Sequence, residues 1–264
     1  MASARTVRSV MLAHTWEEKI DPKGWLLSEK FNGRRAEFDG KVLRSSSGAV
    51  IAAPADFIKS LPPIPLDGEL WTGRGEGNLQ EVGSIVARQV PDARWSKVQF
   101  VVFDMPDPTA GAFTERFRIV QHALRNPPPR VQLVPYVECL GREHFDEVFE
   151  KIVAKQGEGI MLRRPDNLYT RRRVQSLLKR KKFFDAEAEV IGHQPGKDAC
   201  EGMLGALVCK LDDGIVFEIG TGFTNAQRRN PPPIGSRVNF RYQEKSREGV
   251  PIGSPSYQGV RDPE

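Results

Sequence analysis

The chain has 264 residues, 39% of them hydrophobic, enough for one or two buried cores and ordinary for a globular protein. A net charge of +5 and a pI of about 9.1 favour partners rich in phosphate. Three separated cysteines (Cys139, Cys200, Cys209) and four scattered histidines argue against a disulfide framework, a structural zinc site and a histidine–cysteine nucleophile. No run approaches the ~18 apolar residues that span a bilayer, so no membrane partner is expected. Residues 1–10 hold Arg5 and Arg8 but no apolar stretch of signal-peptide length, which points to the cytoplasm.

In chain order, LLSEKF, AEFDG and KVLRS read as strands broken by turns at Asn32-Gly33 and Asp39-Gly40. A proline-rich loop at 61–65 precedes LDGEL, which reads as an Asp-Gly turn with an acid just inside the following strand. QFVVFDM has the length and composition of a buried strand. Residues 114–125 place Phe117, Val120 and Leu124 at helical spacing behind Thr114 as N-cap, and a second loop follows at 126–129. Residues 144–155 repeat the helical pattern with Phe145, Val148, Phe149 and Ile152. Near Phe184 the pattern changes to short strands: AEAEVIG, GALVCKL, IVFEIGTG and RVNFRYQ. The second and third are joined by an Asp212-Asp213-Gly214 hairpin, and residues 224–229 form a helical interruption. About five short strands in roughly 80 residues suggest a small oligonucleotide-binding barrel. The expectation is an α+β chain of two domains, 1–183 and 184–264.

Five constellations carry the chemistry. In SEKFNGRR, Lys30 ends a strand two residues before Asn32-Gly33, and such a lysine attacks phosphorus once cationic neighbours or desolvation lower its pKa. LDGEL offers Glu69 to a ribose hydroxyl or a metal. VVFD offers Phe103 as a stacking ring. EGIMLR puts Glu158 at a strand edge, suited to a hard divalent cation. In LKRK, Lys179 and Lys181 share a strand face and can grip one phosphate. Singly, each also reads as a turn, a core aromatic or a solvated face. Seven of the twelve residues at 171–182 are basic, which alone reads as a solvated surface.

In this order, KxNG, DGE, FD, EGhMLR and LKxK resemble the covalent nucleotidyltransferase superfamily of ATP-dependent DNA ligases, RNA ligases and capping enzymes. The match runs over nearly the whole chain. GMLGALV, IGTGFT and RRNPPPIGS followed by RYQ are similar to the barrel of minimal bacterial ligases called the Lig E type. The resemblance implies an adenylyltransferase domain, ATP-grasp-like, followed by an OB-fold barrel. It implies that Lys30 takes AMP from ATP with Mg2+, passes it to the 5′-phosphate of nicked duplex DNA, and that the 3′-hydroxyl then displaces AMP. Lys179 and Lys181 would contact the α-phosphate and lower the pKa of Lys30. Glu29, Arg35, Glu69, Phe103 and Glu158 would complete the nucleotide site, with Glu69 and Glu158 as the metal-binding acids. Arg35, Arg44, Ser46, Arg163, Arg171, Arg172, Arg173 and Arg261 would face nucleic acid. Ligases of this type act as monomers and often carry an export leader, so a periplasmic home follows by analogy if a leader has been removed.

Three positions depart from the pattern. Asn32 stands where most DNA ligases have aspartate, Ser46 stands where an arginine is expected in LRSSSG, and PIGSPSYQGVR lacks the arginine after its proline while keeping Arg261. Asn32 and Ser46 keep open a catalytically inactive nucleic-acid-binding homologue. The shared chemistry keeps open an RNA ligase, although the small barrel and IGTGFT favour DNA. NAD as adenylyl donor is disfavoured because only 29 residues precede Lys30.

Overall fold

The computed structural model describes residues 10–261, so the segment read for a leader lies outside the described residues except for Val10. The chain divides into two compact units, Met1–Lys181 and Lys182–Glu264. In the first, strands are β1 (Leu12–Thr15), β2 (Leu26–Lys30), β3 (Arg34–Phe38), β4 (Leu43–Ser45), β5 (Leu66–Trp71) and β6 (Gln99–Asp104). They continue with β7 (Val131–Leu133), β8 (Val137–Glu138), β9 (Gly159–Arg163) and β10 (Arg173–Lys181). The helices are α1 (Ala55–Ser60), α2 (Asn78–Val86), α3 (Phe113–Ala123) and α4 (Arg142–Ala154).

These strands form two five-stranded sheets, ordered β1-β10-β9-β2-β8 and β4-β3-β5-β6-β7. One face of the second sheet buries Phe38, Leu66, Leu70, Phe100 and Val102 with Phe57 of α1, Val82 and Ile85 of α2, and Val120 of α3. The first sheet buries Leu27, Ile160, Leu162 and Leu178 beneath Phe145 and Phe149 of α4. Each such side chain contributes about 1.5–3 kcal/mol on burial.

Two local expectations change. The chain between β2 and β3 crosses from one sheet to the other instead of closing a hairpin, and a Cβ on Gly33 would lie 2.2 Å from the Leu70 carbonyl oxygen. Helix α3 starts one residue earlier than its pattern suggests, and Thr114 is not its cap. There the Glu115 carboxylate accepts the Ala112 N–H at 2.7 Å, so the acid at N3 provides the capping bond.

The second unit holds β11 (Phe184–Pro195), β12 (Leu204–Lys210), β13 (Val216–Ile219), α5 (Asn225–Arg229) and β14 (Arg237–Tyr242). It ends with β15 (Glu244–Lys245), β16 (Pro251–Ile252) and β17 (Ser256–Val260). Its main sheet runs β13-β12-β11-β14-β17 around Val190, Leu207, Phe217, Val238 and Phe240. Thr224 caps α5 by accepting the Gln227 N–H at 3.2 Å. The ladder does not close into a barrel among the described residues. One parallel bridge, Thr221 to Ser256, links the chain after β13 to β17. No helix among the described residues is long and apolar enough to cross a membrane.

Candidate active site

The register of the second sheet gathers its charges. Arg35 lies opposite Glu69 and Glu37 opposite Asp67. Strand alternation therefore puts all four on one face while Ala36, Phe38, Leu66 and Leu70 turn to the core. Asp67 and Gly68 are strand residues, not a turn, and a Cβ on Gly68 would lie 2.6 Å from the Phe100 ring. On β6 the pairing passes from Val102 opposite Gly68 to Asp104 opposite Asp67, so Phe103 is the extra residue of a bulge. A bulge re-aims its side chain. The half-buried Phe103 ring is turned to Arg35, whose guanidinium carbon lies 4.6 Å from its centroid.

Lys30 ends β2 opposite Gly159 of β9. Its Nζ donates to Glu158 Oε2 at 2.6 Å, while Lys181 Nζ lies 2.8 Å from Glu158 Oε1. One carboxylate thus holds two lysines. Gly159 lets β9 pass close to β10, since a Cβ there would lie 2.1 Å from the Arg180 carbonyl oxygen. Lys179 and Lys181 alternate with Leu178 and Arg180, and Arg180 points away to Asp146 and to Phe149, 4.1 Å from its ring centroid. Burial, then the charges of Lys181 and Lys30, push Lys179 below the ordinary lysine pKa.

Burial pushes the Glu69 carboxyl up to about 7, against the pull of Lys30 and Arg35. Glu29 accepts Arg74 through both oxygens, at 2.8 and 2.6 Å. Arg35 donates to both oxygens of Asp67 at 2.5 Å.

A cavity of about 180 Å3 joins these groups, lined by Glu29, Lys30, Arg35, Glu69, Phe103 and Lys179 among others. Glu158 joins it through Lys30, and Lys181 through Glu158. Sequence reasoning missed Ala13, Ser28, Tyr136 and Met161, which also line it. Tyr136 donates to the Phe103 carbonyl at 3.1 Å and so buttresses the bulge. Strand alternation offered a signal for Ser28, two residues before Lys30 on β2. Ala13 and Tyr136 offered none, because the short strand and loop that carry them meet the pocket only in three dimensions.

Among the residues expected to face nucleic acid, Arg163 is buried and borders the same cavity from within. It is 3% exposed, donates to Asp104 Oδ2 at 2.6 Å, and serves the interior between the two sheets. Arg44 and exposed Ser46 lie at the β4 turn, outside the cavity lining, where Arg44 pairs with Asp39 at 3.5 Å. Arg171 pairs with Glu37 at 2.9 Å, Arg173 donates to the Ala13 carbonyl, and Arg172 is exposed. Arg261, in the second unit, lies 2.7 Å from Glu187.

A cationic pocket with a strand-end lysine, an aromatic ring and half-buried acids suits nucleotidyl transfer. Comparison with known proteins agrees. Residues 10–181 match the model of the ATP dependent DNA ligase domain, and residues 195–261 match that of the DNA ligase OB-like domain. A DNA ligase of Haemophilus influenzae is 34% identical over 242 residues, covering 92% of this chain and 88% of that protein. A solved structure described as a structure–function analysis of Lig E DNA ligases, with DNA binding by a minimal scaffold, is 34% identical at a TM-score of 0.87. It covers 97% of this chain and 100% of that one. Chlorella virus DNA ligase-adenylate is 25% identical at a TM-score of 0.55, covering 98% and 100%. On these matches, which span both units, the chain belongs to the ATP-dependent DNA ligases and is a minimal member of that family.

Proposed function

We propose that this ligase seals nicks in duplex DNA through AMP carried covalently on Lys30. The observation that carries the reading is the Lys30 Nζ at the end of β2, in a cavity shared with Lys179, Glu69 and Phe103 and 2.6 Å from Glu158. To attack ATP, Nζ must part from Glu158 and shed a proton. A bond then forms from Nζ to the α-phosphorus, and the bond to the leaving pyrophosphate breaks. Lys179 and Lys181 stand on one face of β10 to offset charge on the phosphate oxygens, where fixed cations are worth most. Phe103 stacks on adenine, Glu69 holds the ribose or the metal, Arg35 meets the ribose or the nick phosphate, and Glu29 lines the nucleotide pocket. In the second step the 5′-phosphate of the nick takes AMP from Lys30. In the third the 3′-hydroxyl displaces AMP.

Mg2+ is expected with this chemistry. No group of three metal-binding side chains occurs among the described residues. Mg2+ binds through one or two carboxylates and substrate phosphates without a full protein cage. Glu69 and Glu158 would hold it, and it would neutralise phosphate charge. Exposed Arg172, with Arg44, Ser46, Arg171, Arg173 and Arg261, would contact DNA. Arg163 is left out because of its burial. Residues 1–183 would form the adenylyltransferase domain and 184–264 the barrel-type domain, in a protein acting as a monomer.

Intact mass after incubation with ATP and Mg2+, and again after nicked duplex, tests the reading. One AMP on Lys30 that nicked DNA removes is the expected result. No adduct on protein freed of bound AMP, or an adduct that only RNA discharges, overturns it.

A further inference from the structure

A buried chain of contacts runs from the pocket toward the basic run. Both oxygens of Asp67 hold Arg35 at 2.5 Å. The Tyr169 hydroxyl lies 3.0 Å from Asp67 Oδ2 and 2.8 Å from Glu37 Oε1. Glu37 in turn accepts Arg171 Nη1 through both oxygens, at 3.0 and 2.9 Å. Asp67, Tyr169 and Glu37 are 0%, 1% and 4% exposed, so water does not substitute for these bonds. The Tyr169 ring packs with Met11, Ala13 and Leu177.

A phenol has one proton to donate, and here two carboxylates compete for it. Arg35 offsets the charge of one and Arg171 that of the other, so the hydroxyl sits between two ion pairs and fixes their spacing. A guanidinium held through two bonds to a carboxylate follows that carboxylate. The rotamer of Asp67 therefore sets where Arg35 stands against Phe103.

We infer that Tyr169 is a positioning residue of the ligase reaction: with Glu37 it holds Asp67 so that Arg35 stays at the pocket. This rests on the role given to Arg35 under Proposed function. Tyr169→Phe removes one oxygen and keeps the ring. It should slow the step that depends on Arg35, read by single-turnover adenylylation and by sealing from preformed enzyme-adenylate, about tenfold. Because it acts through Arg35, the double variant with Arg35→Ala should be no slower than Arg35→Ala alone. Parent rates for Tyr169→Phe, or additive losses in the double variant, overturn the inference even where Arg35→Ala itself is slow. Parent rates for Arg35→Ala in every step would instead overturn the reading of Arg35 on which it rests. Should Tyr169→Phe not fold, Glu37→Gln runs the same cycle, since its amide oxygen still accepts from the hydroxyl while the charge pair with Arg171 is lost. A slowing of roughly twofold to fivefold, absent when Arg35 is alanine, is expected there, and an additive loss overturns the inference.

Discussion

Two ionic clusters in the first unit use the same side-chain chemistry to opposite ends. Around Asp104, Arg116 donates at 3.0 and 3.1 Å, Arg163 at 2.6 Å and the Met105 N–H at 2.8 Å. Arg116 also reaches the Gly111 and Asn167 carbonyls, and none of Asp104, Arg116, Arg163 and Asn167 is more than 3% exposed. Around Glu158, two lysines share one acid, their side chains are 22% and 21% exposed, and Glu69 nearby makes no ion pair among the described residues. The first cluster is closed to solvent. The second is open, and a ligand's charges can join it. Enclosure, more than charge itself, separates a strut from a site.

The comparison is sharpest at Lys30. Lys30→Ala should abolish adenylylation, by at least about 1,000-fold, because no neighbour on β2 can offer an amine at that point. Its thermal midpoint should stay within a few degrees of the parent, since Glu158 keeps Lys181 as a partner. Mass spectrometry with ATP and a melting curve read both quantities. Adduct formation at a parent-like rate would move the nucleophile elsewhere.

Asp104→Ala should do the reverse. It strands two buried guanidinium groups and should cost about 3–5 kcal/mol of stability, measured by urea unfolding. In the fraction that remains folded, adenylylation should stay within a few-fold of the parent. A loss below about 1 kcal/mol would mean that the cluster relaxes or hydrates, and the contrast with Glu158 would fail.

Particular residues show what the chain could reveal unaided. Lys30, Glu69, Phe103, Glu158, Lys179 and Lys181 were legible because each sits in a short motif on or beside a strand, where a period of two fixes which neighbours share a face. The α+β class and the hairpin between β12 and β13 were legible for the same local reason. Arg163 was not. In EGIMLR its charge suggested a surface, and only its meeting with Asp104, 59 residues away, buries it. Strand β1 was missed because four residues paired in parallel with β10, some 160 positions on, carry no local signal. The LDG segment reads as a turn until Phe100 and Val101 show that close packing, not chain reversal, requires Gly68. The single bridge between the two edges of the β13–β17 ladder depends on Thr221 meeting Ser256, another long-range fact.

Glu69 tests the open cluster by pH. Burial raises its folded pKa to about 7 from an ordinary 4.5, so between those values the native state holds a proton that the unfolded chain releases. Stability from this group is full below the lower value and is lost as pH rises through the upper one. In metal-free protein, Glu69→Gln should therefore be the more stable form at pH 8, by about 1–3 kcal/mol, and nearly equal to the parent at pH 4.5. Melting curves at the two pH values decide it. A variant equally stable or weaker at pH 8 would show that Lys30 and Arg35 already keep Glu69 ionised.

The smallest effect is expected at the rim, where charge meets solvent. Arg172 is exposed, whereas its neighbours Arg171 and Arg173 are tied to Glu37 and to the Ala13 carbonyl. Each phosphate contact contributes about 0.9 to the slope of log affinity against log salt on duplex DNA. Arg172→Ala should lower that slope for nicked duplex by about one unit and leave adenylylation unchanged, because its side chain does not line the nucleotide pocket and its backbone bond to Leu12 is kept. Arg171→Ala should lower the slope as well, but it also uncovers Glu37, so its loss in sealing should exceed what one phosphate contact explains. Equal behaviour of the two variants in affinity and in sealing would mean that both arginines are plain phosphate contacts. An excess confined to Arg171 would mark it as a residue that serves the DNA surface and the buried carboxylates together.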